Sequence, residues 1–204
     1  MTVVALRSLF AWAKRRGVIF ANPTARIPIG TVAQPVWRPL TPEEIARTVE
    51  AATTARDRLV VALAAGHAAR AGAIRSLTLD DLDLANRRMT IAGLSRPLDA
   101  LTHRLLVEWL DYRRDNWPNT ANPHLLITRM SAVGLAPVSH PAIAGILRGM
   151  PATFDRLRID RQLEEALTNR ADPLHLAVVF GIHETTAVRY ANSARQLLEP
   201  HPEG

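Results

Sequence analysis

The 204-residue chain has no cysteine, which excludes disulfides, thiolate metal sites and thiol nucleophiles. Its seven histidines show no H-x-x-x-H or similar ligand spacing, so no metal site is expected. Aromatic residues make up only 5% of the chain and strand-type alternation is scarce, so the apolar content, carried by alanine, leucine and valine, should pack as a mainly helical core. No apolar run approaches the roughly 20 residues that span a bilayer, and the first residues lack the apolar stretch of a signal peptide. A cytoplasmic protein with no membrane partner is expected. Lysine is almost absent too. Lys14 is the only one among 25 basic residues, and every other is arginine. The net charge of +6 and pI near 11.0 point to an anionic partner, nucleic acid first, because arginine binds phosphate bidentately. Arginine-rich codon usage contributes to the same excess.

What is present reads as a succession of helices. Leu6, Leu9, Phe10 and Ala13 share one face of a helix that ends in Lys14-Arg15-Arg16, with Gly17 as its stop. These three cations are candidate phosphate contacts, and read equally well as a solvated helix end. Pro23, Pro28, Pro35 and Pro39 mark residues 23–40 as an extended linker. Thr41-Pro42-Glu43-Glu44 forms a capping box with proline at N1 and opens a helix to about Ala52. Another helix runs from about Arg56 to Ala65 and a further one starts around Ala71, which leaves Arg70 at their joint with its guanidinium kept from bulk solvent. Residues 86–98 predict a hairpin turning at Gly93, and 99–116 a helix with Leu101, Leu105, Leu106, Trp109 and Leu110 on one side. Residues 125–128 read as a third strand, Ser139 as the cap of a helix over 141–147, and 152–168 as a long amphipathic helix. The stretch from Leu174 to Tyr190 fits a helix-turn-helix in which Thr185, Thr186 and Arg189 would face DNA.

Arg70 is followed at fixed spacing by Leu77 and by Asp81-Leu82-Asp83. This pattern resembles the start of the catalytic domain of tyrosine recombinases and phage integrases. Leu157-Arg158 resembles part of that family's His-x-x-Arg-His box, and Tyr190 stands 32 positions beyond Arg158, a separation typical of the family's second arginine and its nucleophile. Ala171-Asp172 and Phe180-Gly181 match two further landmarks loosely. The resemblance covers residues 41–198, with 1–22 as the remnant last helix of a DNA-clasping core-binding domain and 199–204 as a tail. It implies a mainly α fold with a small β-hairpin or three-stranded sheet. It also implies a site-specific recombinase that binds duplex DNA, assembles on it as a homo-oligomer at the bacterial nucleoid, and needs neither metal nor small-molecule cofactor. Arg70 and Arg158 would clamp the scissile phosphate, and Tyr190 would attack it to form a 3′-phosphotyrosine bond.

The chain departs from the family pattern at several places. Leu94 stands where the hairpin lysine protonates the leaving oxygen, Ala73 where an acid follows the first arginine, and Asp155 and Ile159 where histidines flank the second. Ile182 follows Gly181, with His183 displaced by one. His183 and His175 are the candidates to replace the lost proton donor. Arg88 and Arg96 can add charge against DNA, but a guanidinium holds its proton. The alternative is a catalytically inactive, helix-turn-helix-like DNA-binding descendant of the same fold, in which Tyr190 is an ordinary recognition-helix residue. A helical protein-interaction module is a third reading.

Overall fold

The computed structural model describes residues 3–24 and 36–199. They fall into two units, residues 1–36 and 37–204. In the first, α1 spans Val3–Arg15 and stops at Gly17, whose φ of 72° lets Val18 N–H reach back to the Ala13 carbonyl at 2.9 Å. Of the expected linker, residues 25–35, with Pro28 and Pro35, lie outside the described residues.

In the second unit the capping signals fall where the sequence puts them. Thr41 and Glu44 cap α2 (Pro42–Ala51) reciprocally, and Thr54 caps α3 (Ala55–His67). Because α3 is apolar on most sides, it lies in the middle of the core, with Leu59, Val60, Leu63 and Ala64 inaccessible to solvent. It ends at Ala68 in a left-handed conformation, φ 51°, where both Ala68 and Ala69 donate to the Leu63 carbonyl. That sharp exit turns the chain into α4 (Ala71–Ser76) with Arg70 as its N-cap.

A three-stranded antiparallel sheet follows in the order β1 (Leu82–Asp83), β2 (Arg88–Ile91), β3 (Leu94–Pro97). Ala92 and Gly93, with φ 51° and 81°, close the hairpin in a two-residue turn of the kind that matches strand twist. The sheet corrects one expectation. Residues 125–128 are no strand: Leu125, Leu126 and Ile127 are buried as a loop whose one backbone pairing is a bridge beside Leu77 and Leu79, and the third strand is β1. Two paired residues are too short to leave a periodic signal.

Helix α5 (Ala100–Asn116) packs against α3, α6 (His140–Ile146) against α4, and α7 (Phe154–Thr168) against α3 and α9. Helices α8 (Pro173–Phe180) and α9 (Glu184–Leu198) form a helix-turn-helix around left-handed Gly181. Two apolar clusters result, one around α3, α5 and the sheet, the other among α7, α8 and α9. Helix α7 contributes Leu157 to the first and Leu163 and Ala166 to the second, so it joins them.

Candidate nucleic-acid interface

Where α7 crosses between the two clusters, four elements leave a pocket of about 140 Å³. The α3–α4 joint contributes Arg70, the hairpin Leu94 and Arg96, α7 Arg158 and Gln162, and the α8–α9 turn Gly181. Arginines 88 residues apart in sequence thus line one cavity.

The three guanidiniums are held differently. Arg70 is exposed, against the expectation that the joint would shield it, because the flanking Ala69 and Ala71 have no bulk to cover it. Its guanidinium forms no hydrogen bond or ion pair with another described residue. Arg158 is 13% exposed; its Nη1 donates to Asp155 Oδ1 at 2.7 Å while its Nε is buried with no partner. Arg96 donates from Nη1 to the His67 carbonyl at 2.6 Å and lies over the Phe180 ring at 5.8 Å, and its Nε is likewise buried and unpartnered. Burial, then the nearby Arg161, weaken the hold of Arg96 on its charge. Two buried N–H donors without acceptors, among crowded cations, make a place where an anion is favoured on both counts.

Leu94 shapes the mouth. It packs so tightly on Gly181 that a Cβ there would overlap its Cδ1. An apolar side chain therefore fills the hairpin-tip side of the pocket, and no proton donor stands there.

Tyr190 does not line the pocket. It is 2% exposed in the α7–α9 cluster, its ring 4.0 Å from that of Trp37, which Arg189 covers at 4.8 Å. Burial raises the phenol above its ordinary range; Arg158, Arg189 and Arg70 oppose the shift and Asp155 adds to it. Arg158 and Arg70 are thus both within electrostatic reach of the phenol.

The two candidate histidines have other partners. His183 caps α9, accepting from Thr185 N–H at 3.3 Å, and His175 Nε2 lies 2.8 Å from Glu165 Oε1. Neither lines the pocket. Arg88 faces away from Arg96: it projects from the exposed face of the hairpin and donates to Ser95 Oγ at 2.9 Å. Thr185 and Arg189 are exposed on the first turns of α9 and Thr186 is half-buried. Lys14, Arg15 and Arg16 are exposed at the end of α1, with Arg16 5.6 Å from the Trp12 ring centroid. Gln162 and Trp37 went unnoticed in the sequence; Gln162 is 1% exposed with Oε1 unpartnered, and a lone amide inside an amphipathic helix carries no motif. Among the described residues no cluster of metal-ligating side chains occurs, and no helix is long and apolar enough to cross a membrane.

No family model and no curated protein matches the chain. Solved structures do. XerA recombinase aligns at 18% identity with a TM-score of 0.66, over 95% of this chain and 72% of that one. XerH site-specific recombinase, bound to its palindromic difH substrate in a post-cleavage complex, aligns at 18% and 0.68, over 96% and 63%. A lambda integrase dimer bound to a COC′ core site aligns at 16% and 0.66, over 99% and 61%. The fold is therefore that of the tyrosine recombinase catalytic domain. The chain spans less than two thirds of the length of the latter two proteins.

Proposed function

We propose that this protein binds duplex DNA by seating one backbone phosphate between Arg70 and Arg158, with Arg96 behind them. The observation that carries this reading is the meeting of the three guanidiniums in one pocket where two buried N–H groups lack acceptors. A phosphate in the cavity meets the charge of all three, and a guanidinium fork fits it better than an ammonium. The exposed residues at the start of α9 add phosphate contacts. The protein acts in the bacterial cytoplasm at the nucleoid, and copies assemble side by side on DNA. In the first instance this is a DNA-binding domain of recombinase fold rather than a competent nuclease. Expelling the 5′ oxygen needs a proton, and Leu94, His183 and His175 supply none in the pocket.

The electrostatic reach of Arg70 and Arg158 to Tyr190 favours a second reading, in which strand transfer persists in attenuated form. The phenol would give its proton to water as its oxygen bonds to phosphorus, and the bond to the 5′ oxygen would break as that oxygen takes a proton from water. Affinity for a short duplex, followed by fluorescence anisotropy across salt, tests the first reading: it should fall steeply with salt, and Arg158→Ala should reduce the slope by about one. Salt-insensitive binding contradicts it. A randomised pool of nicked suicide duplexes separates the two readings, because only a strand-transferring enzyme yields a covalent adduct that Tyr190→Phe abolishes.

A further inference from the structure

The far end of the α3–α5 pair carries a second pocket that the phosphate site does not use. Helices α3 and α5 run antiparallel past each other. The proposed phosphate pocket lies by the last turn of α3, at His67, while this second pocket opens at its first turn, beside Arg56, about 16 Å away along the helix. Its volume of about 480 Å³ is that of a site for a small organic molecule.

Three aromatic rings form one side. Trp109 is buried and fixed by its Nε1 donating to the Leu125 carbonyl at 2.9 Å. Tyr112 stacks on it at 5.6 Å, and Trp117 meets Tyr112 edge-on at 5.9 Å. Tyr112 remains 47% exposed, so an ordered aromatic wall stands open to solvent instead of being covered by the core. Two guanidiniums flank it. Arg56 is occupied by Asp57 at 2.9 Å. Arg129 is exposed and forms no hydrogen bond or ion pair with another described residue. One free cation beside a stacking wall selects a flat ring that carries a negative charge.

We infer that this pocket binds a planar aromatic anion, its ring against Tyr112 and Trp117 and its anionic group on Arg129. A nucleoside monophosphate and an aromatic carboxylate share that chemistry. Calorimetric titration of the full chain with adenosine monophosphate, naphthoate, adenosine and inorganic phosphate tests it. Saturable binding of either aromatic anion is expected, and which of the two binds identifies the source of the charge. Adenosine and phosphate alone should each bind at least about tenfold more weakly than the nucleotide, because each lacks one half of the recognition. Arg129→Ala, a surface change that leaves the fold intact, should weaken the aromatic anion about tenfold. The inference is overturned if neither aromatic anion binds, if adenosine or phosphate alone binds as tightly, or if Arg129→Ala leaves the binding unchanged.

Discussion

The front and rear walls of the proposed phosphate pocket are built by opposite means. In front, Arg70 stands on a backbone turn: left-handed Ala68 and the start of α4 fix its Cα, while its side chain is exposed and free. At the rear, Arg158 stands on the packed α7–α9 body and is tied to Asp155, while Tyr190, outside the pocket lining, is sealed in that body beneath Trp37. Binding and stability are thereby divided. A front-wall change alters what the pocket holds, and a rear-wall change also alters whether the wall exists.

The largest effect that can break this contrast is on stability. Tyr190→Ala empties a buried aromatic site and should cost about 3–5 kcal/mol by urea unfolding, against less than about 0.5 kcal/mol for Arg70→Ala. Equal costs would erase the division. Next comes affinity. Arg158→Ala removes a clamp and leaves Asp155 facing the phosphate, so duplex binding should fall by about 2–3 kcal/mol, with Arg70→Ala losing roughly tenfold. Asp155→Asn should act in the other direction and tighten binding a few-fold, because it releases Arg158. Third, burial raises the Tyr190 phenol, so the folded state keeps its proton to higher pH than the unfolded chain. Stability is therefore full below about pH 10 and declines as pH climbs beyond it, a decline that Tyr190→Phe should reduce. The smallest expected change sharpens the contrast instead. Leu94→Lys puts a proton donor into the pocket mouth, and a covalent adduct that appears only in that variant would show the rear wall to be competent and the front wall to be what withholds chemistry.

Much of this architecture was legible. The Thr41 and Ser139 caps, the turn at Gly93 and the spacing from Arg70 to Tyr190 act over short range or through a pattern, and both survive in a single sequence. What escaped depends on distant partners. The bond between Trp37 N–H and Ser193 Oγ joins residues 156 positions apart, and nothing near Trp37 announces it. His175 looked free because the carboxylate that engages it, Glu165, sits on the preceding helix. The run 125–128 was apolar enough for a strand, yet it is buried as a loop, and hydrophobicity alone does not distinguish the two.

A double-mutant cycle on duplex affinity, with Arg70→Ala, Arg158→Ala and the pair together at fixed salt, bears most directly on whether the two walls share a phosphate. If they do, the losses are coupled by about 1 kcal/mol or more, since removing one guanidinium changes what the other can hold. Losses that add to within about 0.5 kcal/mol would mean that each arginine meets DNA on its own.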